Sequence, residues 1–228
     1  MKIVIVSDIH GNFDALRALP ESFDELWVLG DLVNYGPQPA EVVEQVKSGA
    51  AVVIQGNHDH AVANDDDSRW SARYRQLSEC CRKRTVETIS HDQKQYLGDL
   101  PLRVDVERHG TRFHLTHATP SDPHYGKCAD ENWPRELADV DADILLVGHS
   151  HVPFLGRFGS KTVLNPGSIG QPRNGSTAAH YAVWEDGELS LRSFAYPVEP
   201  TIARLQAMAL PSEIEAELSM ILRTGAVK

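Results

Sequence analysis

Cysteine is nearly missing from this sequence of 228 residues: Cys80 and Cys81 are adjacent and Cys128 stands alone. Nothing in that spacing resembles a zinc knuckle or a disulfide framework, so a stapled secreted scaffold is excluded and a reducing compartment is expected. Long apolar runs are missing as well. No stretch nears the roughly 20 apolar residues that a membrane helix needs. The apolar run that opens at Lys2 stops at Ser7, too short for a signal-peptide core with its cleavage site. A cytoplasmic protein that does not enter a membrane is the expectation. Positive charge is scarce too: 22 Lys and Arg face 32 Asp and Glu, a formal net charge of -10. That balance opposes a stable complex with nucleic acid or an anionic membrane. It still admits a small phosphorylated substrate, because bound cations can reverse the field inside a cleft. Internal repeats and low-complexity tracts are absent.

Hydrophobic residues make up 41% of the chain, enough for the core of a single domain spanning 1–228. Short apolar runs rich in Val, Ile and Leu, the mark of buried strands, fall at 2–7, 25–30, 51–55, 112–116 and 143–148. Helical patterns fill 12–19 and 39–47, the second opening with Pro39 in its first turn. This βαβαβ order implies a parallel sheet and an α/β fold. Around 60–99 the chain turns polar, charged and helix-forming, which predicts a small helical cap inserted over the sheet edge. An irregular segment at 118–132 and a short helix at 133–138 follow. Strands at 161–164 and 178–184, a hairpin turn at 185–188, a strand at 189–194 and two helices parted around Pro211 complete the chain.

Each of the first five strands is followed within one or two positions by a residue able to bind metal: Asp8, Asp31, Asn57, His117 and His149. Ligands of open α/β sheets bind outside the carboxyl ends of the strands, so five such placements point to one site. Asp8 and His10 flank Ile9, and His149 and His151 flank Ser150; in an extended strand end each pair would face one side and grip one ion. Gly11, Gly30, Gly56 and Gly148 would supply the bends that let these side chains converge. Read blandly, such residues cap helices and satisfy turns, as Asp8 and Asn57 could. That leaves four histidines at strand ends unexplained.

In order, Asp8-Ile9-His10, Gly30-Asp31, Gly56-Asn57-His58-Asp59, His117 and Gly148-His149-Ser150-His151 resemble the full signature of calcineurin-like metallophosphoesterases. The resemblance implies a two-layer-sheet αββα sandwich with a small helical cap, and a centre of two divalent metal ions. By it, Asp8, His10 and His151 hold the first ion, Asn57, His117 and His149 the second, and Asp31 bridges both. It also implies that His58 touches substrate rather than metal. Donor chemistry agrees: two dications against two carboxylates leave a net positive centre suited to phosphoryl oxygens, where a bridging water would readily become the nucleophilic hydroxide. Imidazole, carboxylate and amide donors without thiolate favour Mn, Fe, Co, Ni or Zn over Mg or Ca, with Mn the first expectation.

His58 is the expected catalytic imidazole, placed to stabilise or protonate the departing oxygen and oriented by Asn34 or Asp59. Asn34 and Arg173 are the expected substrate contacts. Arg173 ends Asn165-Pro166-Gly167-Ser168 and Gly170-Gln171-Pro172-Arg173, which resemble a stretch of small bacterial and archaeal family members. Its Pro-Gly alone would read as a turn. A basic run, Arg69, Arg73, Arg75, Arg82, Lys83 and Arg84, reads as a solvated helix face from which a member could reach a phosphate. His60, His91, His109, His114, His124 and His180 read as surface or strand-face residues.

Protein Ser/Thr phosphatases and symmetrical dinucleoside tetraphosphatases of this family carry an acidic residue and then arginine just after the Gly-Asp motif. Here Leu32-Val33-Asn34-Tyr35-Gly36 follows Asp31. The missing arginine, and the resemblance to the small phosphodiesterase branch, select a phosphodiesterase acting on a small phosphoester, with a homo-oligomer left open. The same centre would serve a nucleotide phosphatase or a dinucleoside polyphosphate hydrolase. A non-catalytic scaffold of this fold is the remaining alternative, and a competent residue at every ligand position opposes it.

Overall fold

Strand β1 (Lys2–Val6) is apolar beyond Lys2 because both of its faces are buried. Ile3 and Ile5 point to one side and Val4 and Val6 to the other, and the two pairs join different hydrophobic clusters. β1 runs parallel to β2 (Glu25–Val28), which in turn is parallel to β3 (Val52–Val53). A second sheet is made of β4 (Arg103–Arg108), β5 (Thr111–Thr116), β6 (Ile144–Leu146), β7 (Phe154–Phe158) and β8 (Lys161–Asn165), in the order β4-β5-β6-β8-β7. The chain then returns to the first sheet as β9 (Ala179–Glu185) and β10 (Glu188–Phe194), which completes the order β10-β9-β1-β2-β3. The β9–β10 hairpin turns on Asp186 and Gly187, at φ of 52° and 89°, the left-handed backbone that matches strand twist.

This computed structural model describes every residue except Asp67, Ser71, Arg73 and Lys228, so Arg73 of the basic run lies outside the described residues. The two sheets pack face to face through Ile3, Ile5, Trp27, Leu29 and Trp184 on one and Phe113, Leu115, Ile144, Leu146 and Leu164 on the other. Phe113 meets both Trp27 and Trp184 edge-on, a favourable ring geometry. The helices are α1 (Phe13–Arg17), α2 (Pro39–Gly49), α3 (Asn57–Asn64), α4 (Arg75–Thr88), α5 (His91–Asp99), α6 (Trp133–Glu136), α7 (Glu199–Ala207) and α8 (Ser212–Thr224). Leu16, Val42, Val46, Val62 and Leu97 lay α1, α2, α3 and α5 on the outer face of the first sheet. Trp133 lays α6 on Leu145, Val147 and Val163 of the second. The architecture is the expected αββα sandwich.

Among the described residues, the segment read as a cap holds three helices with two destinations. α3 and α5 join the outer helical layer, whereas α4 forms a separate small core with α7 and α8 through Leu77, Cys81, Ile202, Leu205, Ile214 and Leu218. β4 and β7 are absent from the sequence reading. Both are sheet edges with exposed alternate residues, so neither carries the unbroken apolar run of a buried strand. Among the described residues no helix is long and apolar enough to cross a membrane.

Candidate metal centre

The expected ligands sit on the loops that leave β1, β2, β5 and β6 and on the first turn of α3. Asp8, His10, Asp31, Asn57, His117 and His151 are buried and His149 is half-buried. β1 has ended at Val6 and β6 at Leu146 before the paired ligands are reached. Strand alternation therefore does not aim them, which corrects the expectation of extended strand ends. Asp8, His10, Asp31, His149 and His151 instead take left-handed backbone, with φ of 54°, 48°, 54°, 66° and 60°. Such residues cost roughly 1–2 kcal/mol each and persist only where surrounding structure over-determines them. Here the β1 and β2 loops clamp one another: Asp8 N–H donates to Gly30 O at 3.1 Å, His10 N–H to Asp31 O at 2.9 Å and Gly11 N–H to Leu32 O at 2.8 Å.

Two glycines act by leaving room. Gly56 has an ordinary φ of -89°, but a Cβ there would fall on the Asp31 carboxylate. One on Gly148 would meet Ser7 Oγ and come within 2.9 Å of Asp8 Oδ2.

Three of the four ligand imidazoles, His10, His117 and His151, are oriented from their far side. Nδ1–H of His10 donates to Val33 O at 3.1 Å, that of His117 to Leu29 O at 2.7 Å and that of His151 to Gln171 O at 2.6 Å. A carbonyl can only accept, so each of the three rings, in its neutral form, presents an Nε2 lone pair to the centre. The carboxylates behave alike: Asp8 Oδ2 accepts His149 N–H at 3.0 Å and Asp31 Oδ1 accepts His58 N–H at 2.8 Å, leaving the other oxygen of each turned inward. Behind them, Asn165 Nδ2 donates to Gly148 O at 2.6 Å, and Ser168 Oγ donates to Asp8 O and accepts Gln171 N–H, each at 2.7 Å.

The inward atoms are mismatched as hydrogen-bond partners. His10 Nε2 faces His151 Nε2 at 3.1 Å, lone pair against lone pair. Asn57 Oδ1 lies 3.2 Å from His117 Nε2 and 3.0 Å from His149 Nδ1, and Asp8 Oδ1 is buried without a hydrogen bond. Converging acceptors are what cations require, so the residues fit divalent metal. Asp8, His10, Asp31 and His151 form one group with ligand atoms within 4.8 Å of one another, and Asp31, His117 and His149 form a second. Burial pushes His10 well down and His149 to about 3, toward the neutral ligating imidazole. Burial would lower His117 too, but the Asp31 carboxylate beside it prevails and pushes it up to about 10, a charge preference that a cation between the two would also meet.

His58 lines the adjoining cleft, and burial takes its ring down to about 4. Of its two candidate orienters, Asp59 is committed elsewhere: its carboxylate accepts N–H groups of Asp31 at 2.8 Å, Leu32 at 2.8 Å, Val33 at 3.3 Å and Gly56 at 2.9 Å. Asn34 lies against His58, with Nδ2 2.7 Å from Nδ1. Asn34 is fully buried and is not among the residues lining the cleft. Arg173 does line it, its guanidinium 5.9 Å from the Tyr35 ring and 5.3 Å from that of Tyr74, while Nη2 donates to Gln171 at 2.7 Å.

The cleft holds about 750 Å³, and its walls are rich in aromatic rings: Tyr35, Trp70, Tyr74, Tyr125, Trp133 and Phe154. Sequence reasoning did not single out these rings. The usable signal was aromatic residues in otherwise polar segments, Trp70 above all, which is only 5% exposed. Of the described members of the basic run, only Arg69 lines the cleft. His124, read as a surface or strand-face residue, lies against His60 with ring centroids 4.8 Å apart and ring planes tilted by 41°.

A family model, the calcineurin-like phosphoesterase superfamily domain, matches residues 1–186. An uncharacterised protein of Methanocaldococcus jannaschii is 26% identical over 231 residues, covering 92% of this chain and 93% of its own length. Phosphodiesterase YfcE of Escherichia coli is 26% identical over 209 residues, 84% of this chain and 91% of its own. Among solved structures, a metallophosphoesterase from Sphaerobacter thermophilus superposes with a TM-score of 0.84 at 27% identity, covering 99% of each chain.

Proposed function

We propose that this chain, which belongs to the calcineurin-like phosphoesterase superfamily, cleaves phosphodiesters at a dinuclear centre of divalent transition metals. Membership makes it a metallophosphoesterase, a hydrolase of phosphoric esters; the diester preference and the pair of ions are the narrower claims. The observation that carries the pair is a shared carboxylate. Asp31 Oδ2 lies 3.2 Å from His117 Nε2 and 3.7 Å from His10 Nε2, and Asp31 is the one residue common to both ligand groups. Asp8, His10 and His151 would hold one ion, Asn57, His117 and His149 the other, and Asp31 both. Donors without thiolate suit Mn first, then Fe, Co, Ni or Zn. Such ions, when bound, offset phosphoryl charge and lower the pKa of water.

The chain's own residues supply orientation. His58 stands where the ligand loops open into the cleft, and the aromatic walls exclude water from whatever fills it. Diesters are favoured on two grounds. The loop after Asp31 offers Leu32-Val33-Asn34 in place of a cation, so nothing there pairs with a monoester's second negative charge. A cleft of about 750 Å³ lined by rings also has room and apolar surface for a second ester group. Three free thiols, Cys80, Cys81 and Cys128, fit a cytoplasmic setting.

The test is a panel assay on protein stripped by chelation and reloaded with single metals. Bis-p-nitrophenyl phosphate is expected to show a higher kcat/KM than p-nitrophenyl phosphate and than dinucleoside polyphosphates. A monoester preference across several leaving groups would overturn the diester reading, and full occupancy at one ion per chain would overturn the dinuclear one.

A further inference from the structure

We propose that Asn34 is a positioning residue that locks His58 in its Nε2–H tautomer, so that His58 acts as a hydrogen-bond donor to the substrate's phosphoryl or departing oxygen and not as a proton donor. The donor role and its kinetic test rest on the phosphoesterase reading; the tautomer does not.

The amide of Asn34 has one possible orientation, because backbone groups of fixed polarity hold it at both ends. Its Oδ1 accepts the N–H of Tyr35 at 3.1 Å, and a backbone N–H can only donate. Its Nδ2 points at Ser78 O at 3.4 Å, which can only accept. Turning the amide over would set donor against donor at one end and acceptor against acceptor at the other. The nitrogen facing His58 Nδ1 at 2.7 Å is therefore an N–H donor, and Nδ1 must be the acceptor. A neutral ring whose Nδ1 accepts carries its proton on Nε2.

That assignment constrains the chemistry. For the Nε2 proton to be given away without forming an imidazolate, Nδ1 would have to hold a proton of its own. Here such a proton would point into the N–H of Asn34. A carboxylate at this position would accept from Nδ1–H and support the imidazolium; an amide held in this orientation opposes it. His58 keeps its proton and offers a directed dipole, the way preorganised donors stabilise developing charge.

The lock is built into the fold. Asn34 and Tyr35 both take left-handed backbone, at φ of 74° and 66°, a region Asn tolerates better than most residues. Ser78 on α4 is 1% exposed and holds both neighbours, the Asn34 amide through its carbonyl and Tyr35 OH through Oγ at 2.8 Å. α4 thereby gains a role at the site through Ser78.

The experiment uses the 15N-labelled full chain reconstituted with zinc, which is diamagnetic. Long-range 1H–15N spectra are expected to show His58 with Nε2 protonated and Nδ1 as an unprotonated acceptor. Asn34→Asp is expected to move the proton to Nδ1. In the parent enzyme His58→Ala should cost the same factor on an activated nitrophenyl ester and on an alkyl or nucleoside ester of equal charge. In the Asn34→Asp background the loss should become larger on the alkyl ester. An Nδ1–H signal in the parent protein overturns the assignment, even if Asn34→Asp fails to fold. A parent His58→Ala loss about tenfold or more greater on the alkyl ester overturns the donor role. Inactivity on every phosphoester, with the Nε2–H signal intact, would instead remove the phosphoesterase reading and leave the tautomer standing.

Discussion

The two walls of the cleft are held by different means. On the metal side, left-handed backbone, loop-to-loop hydrogen bonds and carbonyls behind His10, His117 and His151 fix the donors. On the opposite side, Trp70, Tyr74 and Tyr125 line the cleft, and a side-chain pair, Arg69 with Asp122, joins two of their segments. A wall fixed by backbone cannot adjust without unfolding its loops, whereas a wall fixed by side chains can repack. On the proposed function, the chemistry of phosphoester cleavage and the choice of ester belong to separate structures, and substitutions should affect one without the other.

The severest way to break the metal wall is Asp31→Asn. It weakens the one carboxylate common to both groups and should lower kcat/KM by roughly 10³-fold or more, since such ions contribute several kcal/mol and each 1.36 kcal/mol is a decade. Metal analysis should show loss from both positions; retention of either ion would mean that Asp31 is not the bridge. Gly148→Ala comes next. Its Cβ would meet Ser7 Oγ and Asp8 Oδ2, an overpacking expected to cost roughly 1–3 kcal/mol of stability, visible as a lower Tm together with weaker metal binding. An unchanged Tm and metal affinity would show that the loops can yield, against the rigidity argued above. Ser168→Ala is milder: it strands the Gln171 N–H and removes a donor to Asp8 O. Metal affinity should fall by about 10- to 100-fold with His58 chemistry intact; titration of the stripped protein with zinc reads it directly.

The same contrast explains what the sequence could reveal. The metal wall was legible because its donors sit just past buried apolar strands, several of them beside a glycine that allows close approach. Asp31 after 25–30 and His149 after 143–148 are cases in point. How the pairs converge was not legible: Asp8 and His10 look like alternating strand residues, and only their φ of 54° and 48° reveals otherwise. Nor could sequence choose between Asn34 and Asp59 as partner of His58, because that depends on where four backbone N–H groups point. The edge strand β4 hid behind Arg103, Asp105 and Glu107, whose charges face solvent. The aromatic wall hid because Trp70, Tyr125 and Trp133 lie far apart in the chain, and no local period links rings that meet only across a cleft.

The smallest expected effect, and the sharpest check on the separation of the walls, is Arg69→Ala. The Arg69 guanidinium donates to both Asp122 oxygens, at 3.2 and 2.5 Å, and lies 4.4 Å over the Tyr125 ring, joining the chain before α4 to the 118–132 loop. Its side chain is 54% exposed, so solvent screens the ion pair and its loss should cost less than about 1 kcal/mol. For a chain of this size that is a fall in Tm of under about 4 °C. Tyr125 would lose its cover while the metal ligands kept every contact that orients them. Metal content and kcat on a small nitrophenyl ester should therefore match the parent, and KM for a bulky diester should rise by about two- to tenfold, the scale of one surface contact. If Arg69→Ala stripped a metal or cut kcat on the small ester as deeply as Ser168→Ala lowers metal affinity, the side-chain wall would be holding the backbone wall in place, and the division between them would fail.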